Sequence, residues 1–171
     1  MSFSGKSILL LILLLIACGS WLFLALSPGP EDARIRSAII STAELLTKQQ
    51  GTKPLAGLED AGELRKYLAP DLSITLPSYH IRKTLSRKEA LQRYFLFRKN
   101  LPEILIRADV GDISINAEQP DTAEAKAVVR IDYPKGGRQY TESLDVIIGM
   151  KKLSGDWTMM SVSVPEKEPE N

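Results

Sequence analysis

Three patterns in the 171-residue chain predict an α+β domain behind an N-terminal transmembrane helix. Ile8 to Leu26 is an apolar run with no charged residue. From Glu31 to about Asn100 apolar residues recur at helical spacing, and from Ile104 to Val164 they alternate. Helices first and long strands afterwards predict a layered architecture, with about three helices packed on one face of an antiparallel sheet.

The nineteen residues of the apolar run would make a helix of roughly 28 Å, close to the thickness of a bilayer's hydrocarbon core. Its backbone polar groups would all be satisfied internally, as lipid requires. Only Cys18, Gly19 and Ser20 interrupt it, and Trp21 and Phe23 lie toward its far end. Residues 1–7 precede it with one charge, Lys6, while Glu31 and Asp32 follow, so the positive-inside tendency predicts a cytoplasmic N-terminus. Arg34 and Arg36 blur that asymmetry. Two alternatives stay open. Leu15-Ile16-Ala17-Cys18 resembles the bacterial lipobox, in which the cysteine is lipidated after cleavage, and the same stretch could be a cleaved secretory signal. The apolar run past Cys18, through Leu26, favours the uncleaved span. All three readings put the domain across the membrane from the cytoplasm: a single pass through a bacterial inner membrane, or a lipid anchor at Cys18, with the domain facing the periplasm or exterior.

Ser27-Pro28-Gly29-Pro30 breaks the run and makes 27–30 a linker. A helix is expected from Glu31 to about Gln49, its acidic first turn complementing the helix dipole and Ile35, Ile39, Ala43 and Leu46 forming its apolar stripe. After a loop, Ala61 to Leu68 reads as a short helix presenting Leu64, Tyr67 and Leu68, and Leu72 to Leu76 as a brief strand between Pro70 and Pro77. Ser86 and Glu89 have the spacing of a capping box. The helix they open carries Leu91, Tyr94, Phe95 and Phe97 and ends near Asn100-Leu101-Pro102. Four long antiparallel strands follow in a meander. The first runs from Ile104 to Ala117 with a bulge near Gly111, and the second from Ala123 to Tyr133. Pro134-Lys135-Gly136-Gly137 turns into Arg138–Lys152, and Ser154-Gly155-Asp156 into Trp157–Val164. Residues 31–164 are thus the domain, and the charged, proline-containing 165–171 reads as a disordered tail.

At this point the chain resembles the nuclear-transport-factor-two-like (SnoaL-like) superfamily, a cone-shaped α+β fold. Leu68-Ala69-Pro70-Asp71, Leu85-Ser86-Arg87-Lys88-Glu89-Ala90-Leu91 and Gly155-Asp156-Trp157 carry the likeness, in order, between Glu31 and Val164. The resemblance implies a curved sheet wrapped around a helix, with a pocket at the wide end. Isomerases, dehydratases, non-catalytic binding domains and membrane-anchored assembly factors share that fold, so it does not select a function.

Composition excludes several classes. The chain has 22 basic and 21 acidic residues, a net charge of +1 and no global field for nucleic acid. One cysteine and one histidine rule out an internal disulfide and Cys- or His-rich metal sites, and no cofactor is implied. An isomerase would need a carboxylate and acidic donors converging in the pocket. The candidates are Tyr94, Asp109 and Glu142 for catalysis, with Tyr67, Tyr94, Arg107 and Tyr140 as pocket residues and Asp145 nearby in sequence. Glu142 shares the face of Tyr140 and Leu144, but a charge near a strand end is usually solvated. Arg107 and Asp109 share one face of their strand and read more simply as a surface pair. His80 reads as a loop residue, and Tyr67, Tyr94, Phe97 and Trp157 as core aromatics. Arg82, Lys83, Arg87, Lys88, Arg93, Arg98 and Lys99 form a basic stretch suited to anionic head groups or an acidic partner, or to plain solvation. The expectation is a membrane-anchored, extracytoplasmic, non-catalytic binding or scaffolding module. Its partners would be membrane lipid through 8–26 and a protein, a small ligand or a second copy of the chain. The alternative is an isomerase or dehydratase acting on a small hydrophobic substrate.

Overall fold

The computed structural model describes residues 30–49, 56–100 and 103–166. The expected span at 8–26, Cys18, most of the 27–30 linker and most of the tail lie outside them. Among the described residues, no helix is long and apolar enough to cross a membrane.

Helix α1 (Pro30–Leu46) buries Ile35, Ala38, Ile39, Thr42 and Ala43, the stripe that its helical spacing dictates. Helix α2 (Ala56–Tyr67) begins earlier than the expected Ala61 and buries Ala61 and Leu64. It runs directly into β1 (Leu68–Leu76). A single 3-10 turn (Pro77–Tyr79) and His80, at φ 52°, reverse the chain into β2 (Ile81–Ser86). Helix α3 (Arg87–Asn100) opens on the expected capping box. The Ser86 N–H donates to Glu89 Oε2 at 2.8 Å, and the Glu89 N–H donates to Ser86 Oγ at 3.3 Å. Strands β3 (Leu105–Ile115), β4 (Thr122–Lys135), β5 (Arg138–Leu153) and β6 (Asp156–Ser163) complete the described part of a compact unit that begins at Arg34.

The sheet differs from a four-stranded antiparallel meander. It has six strands in the order β2-β1-β6-β5-β4-β3, and β1 pairs with β6 in parallel. Strand β2 escapes a hydrophobicity reading because it lies at the edge and buries only Leu85, while Arg82 and Lys83 face solvent. Charged edge residues discourage pairing with another chain. The register of β3 slips between Val110 and Ile113, at the expected bulge, where Arg36 donates to the carbonyls of Val110 and, at 3.0 Å, Gly111. Those carbonyls would otherwise lack ladder partners.

One face of the sheet is covered. Ala123, Ala125 and Ala127 of β4 and Val146, Ile148 and Met150 of β5 pack with Ile35, Ile39, Leu64, Leu72 and Trp157 in a single core. Helix α3 contributes less than its four expected apolar residues suggest: it buries Tyr94 and Arg98, while Phe95 and Leu96 are exposed at 39% and 58%.

Candidate binding cavity

Beyond the core, the covered face of the sheet and α1 leave a cavity of about 240 Å³. Strand pairing builds its wall in rows. Ile106 of β3 lies beside Ile131 of β4, and Ala108 beside Val129, which in turn lies beside Leu144 of β5. Ile39, Thr42, Ala43 and Leu46 of α1 face them, and Leu76, Val146, Ile148, Met159, Val162 and Val164 complete the lining. Thr42 alone among these carries a polar side-chain group, and its hydroxyl donates to the Ala38 carbonyl at 2.8 Å. The cavity therefore presents only apolar surface to an occupant.

The sequence-read candidates lie elsewhere. Tyr94 is 4% exposed and structural: its hydroxyl donates to the Leu45 carbonyl at 3.2 Å and accepts from Arg98, which also pairs with Asp60 of α2. Burial raises the Tyr94 pKa, against the opposing pull of Arg98. Burial disfavours the Arg98 charge too, but hydrogen bonds to Tyr94 and Asp60 outweigh it and its pKa is raised. A tyrosine held this way is a cross-brace between α1, α2 and α3.

Tyr67 is half-buried and borders a separate depression of about 300 Å³ with Arg34, Lys66, Asp156 and Trp157. Arg107 and Asp109 point away from the helices and are exposed, because Ile106, Ala108 and Val110 take the covered face of β3. Asp109 borders an outer-face groove with Asp112, Lys126 and Asp145. Among the described residues no group of acidic, histidine or cysteine side chains is arranged to hold a metal. His80 is exposed in the turn after β1.

Glu142 and Tyr140 lie nearer the cavity. Both have the parity of the covered face of β5, but lie in its first stretch, Arg138–Ser143, which is exposed throughout. Glu142 is paired with the lining residue Ile131 and is exposed. It accepts a hydrogen bond from the Tyr133 hydroxyl at 2.6 Å. Tyr133 is stacked on Tyr140, with ring centroids 5.9 Å apart and planes at 20°. Tyr133 was not singled out from the sequence, although it continues the alternation of Val129 and Ile131.

The basic stretch does not form one patch. Arg98 is buried, and Arg82 and Lys83 lie on the edge strand. Arg87 and Lys88 join Arg65 around a groove floored by Pro70, Leu91 and Phe95. The Arg87 Nε is buried there without a hydrogen-bond partner among the described residues.

No family model matches the chain, and no curated protein does. Solved structures do. A protein from Kribbella flavida superposes with a TM-score of 0.63 at 15% identity, over 81% of this chain and 92% of its own. A protein of unknown function with a cystatin-like fold, from Nostoc punctiforme, gives 0.54 at 13% identity over 81% and 93%. The domain is a cystatin-like cone. A ketosteroid isomerase-like protein from Erwinia carotovora atroseptica shares the cone, with a TM-score of 0.56 at 12% identity over 83% of this chain and all of its own. The cone agrees with the fold implied by the nuclear-transport-factor-two-like resemblance. At such identities the likeness carries the fold and no activity.

Proposed function

We propose that the cone is a non-catalytic binding module that takes the apolar part of a ligand into the cavity between α1 and the sheet. The observation that supports this is the lining. Acid–base catalysis needs a titratable group within hydrogen-bond reach of the reacting atoms, and the cavity wall holds none. The isomerase or dehydratase reading would rest on Glu142 alone, at the rim, with Tyr94 braced elsewhere and Asp109 on the opposite face. In the proposed role the apolar run at 8–26 tethers the module at the outer face of a membrane, an expectation that rests on that run alone.

At about 240 Å³ the cavity is smaller than the roughly 300–1,000 Å³ of pockets that enclose a drug-sized ligand. It encloses a single ring or a short alkyl chain, and a larger ligand, the three-ring dye used below included, would enter in part and project past Ile131 and Leu144.

The test is a titration of the full chain with N-phenyl-1-naphthylamine, an apolar dye that brightens on leaving water. Saturable binding that weakens at least tenfold in Ala108→Leu is expected, because the new side chain enters the cavity. Residues 8–26 are common to both proteins, so the difference isolates the cone. Equal binding by the two proteins would remove the cavity from the function.

A further inference from the structure

The rim of the cavity carries chemistry that its wall lacks, and this leads beyond the general reading. On the covered face, Ile106, Ile131 and Glu142 form one row across β3, β4 and β5. The first two line the cavity, and the third places a carboxylate beside them. Tyr133 and Tyr140, paired across the hairpin, form the next step outward.

Three observations define what this rim can accept. Glu142 is exposed and has no cationic partner among the described residues. One of its oxygens, Oε1, already holds the Tyr133 hydroxyl, which fixes the carboxylate beside the stacked rings. Tyr140 remains 42% exposed, large for an aromatic side chain on the covered face of a sheet. A carboxylate and aromatic rings beside an apolar cavity complement a positive charge attached to an apolar group. An anionic head would meet like charge at the same place.

Resting on the binding reading above, we propose that the ligand is a cationic amphiphile. Its alkyl or ring portion enters the cavity, and its ammonium group lies against Glu142 and the Tyr133–Tyr140 stack. The rim then sets specificity while the cavity supplies apolar burial.

The experiment uses the full chain in a non-ionic detergent, takes as signal the dye fluorescence in excess of that given by Ala108→Leu in the same detergent, and follows displacement of N-phenyl-1-naphthylamine by three ligands with the same eight-carbon chain: octyltrimethylammonium, 1-octanol and octanoate. The cation should displace the dye at about fivefold lower concentration than 1-octanol, the size of an exposed cation–aromatic contact, and octanoate should be the weakest. Glu142→Gln should narrow the cation's advantage over 1-octanol to about twofold, the stacked rings keeping the rest, and Tyr140→Leu should lower the advantage while leaving the cation ahead of octanoate. Equal displacement by all three ligands in the unsubstituted chain would overturn the assignment, as would a cation advantage that Glu142→Gln leaves undiminished. The two readings fail separately. Undiminished dye binding in Ala108→Leu refutes the cavity, whereas a cation advantage insensitive to Glu142→Gln refutes the rim.

Discussion

Substituting Ala108 by leucine should move stability and binding in opposite directions. Ala108 is half-buried in β3 and faces the open volume between Val129 and α1. Leucine adds three carbons into that volume, with no polar group to displace because the wall is apolar. At about 0.8 kcal/mol per buried methylene the gain is about 2.4 kcal/mol. Ordering the leucine side chain costs about 0.5–1 kcal/mol, leaving about 1.5 kcal/mol. For a domain of this size that corresponds to a rise in Tm of about 5 °C. Thermal melts followed by circular dichroism, in the absence of ligand, supply the first readout, and the dye titration supplies the second. A cavity kept open for a ligand is a place where stability is forgone for function, so filling it should raise Tm and abolish binding together. A drop in Tm would mean that the space is already filled by close packing. A rise in Tm with unchanged dye binding would mean that the cavity is a packing defect and the ligand site lies elsewhere.

Other predictions concern the frame that holds the cavity. A Cβ at Gly149 would overlap Ser161 Oγ, so Gly149→Ala should cost about 1–2 kcal/mol in urea unfolding. Adding Ser161→Ala should restore stability to at least the original value; a double variant as unstable as the single one would refute the clash. Asp60→Ala leaves the Arg98 guanidinium, 9% exposed, without its carboxylate, and should cost about 2 kcal/mol, below the 3–5 of a fully buried pair because Asp60 is partly solvated. A loss under 0.5 kcal/mol in urea unfolding would show that the brace is dispensable. The hydrogen bonds from Ser86 hold the Glu89 carboxyl below its ordinary pKa. A depressed folded-state value means that the capping contribution is complete above the ordinary glutamate pKa and is lost as pH falls through the folded one. The Tm gap between the unsubstituted chain and Glu89→Gln should therefore close from pH 7 to pH 3, and a gap independent of pH would contradict the capping box.

What could be read in advance follows from the range of the interactions involved. The capping box at Ser86 and the bulge at Gly111 are local signals, legible within a few residues. The alternation of β4 and β5 gave the covered face correctly because parity is a property of each strand. The parallel pairing of β1 with β6 joins segments some 90 positions apart, and nothing local in Leu68–Leu76 signals it. Strand β2 has one buried residue in six, too few to register as a pattern. The same distinction divides the site. Parity placed Glu142 and Tyr140 on the covered face, and the alternation of Ile106, Ala108 and Val110 was available to send Arg107 and Asp109 outward. Tyr94 is legible as a core aromatic and is one, but the partners of its hydroxyl are not, because they are Leu45 of α1 and an Arg98 that is itself paired with Asp60.

The proposed uptake of a ligand turns on how polar groups are distributed around the cone. Each candidate acid or base is kept out of the cavity wall for a reason visible in the chain. Tyr94 is drawn into a buried brace, Asp109 falls on the outward parity of β3, and Glu142 lies in the exposed first stretch of β5. A catalytic carboxylate gains its altered basicity from burial beside the reacting atoms. Glu142 is exposed, and its neighbour on the covered face of β5 toward the core is Leu144, an aliphatic side chain. Bringing acid–base chemistry inward would take a substitution at Leu144, Val129 or Ile106, positions that here carry only aliphatic side chains. Leu144→Asp places a carboxylate among those residues without a donor, and should destabilise the domain by several kcal/mol rather than create an activity. A Leu144→Asp variant that kept the original stability in urea unfolding would show that water reaches the cavity wall at Leu144. The apolar wall would then no longer separate binding from catalysis.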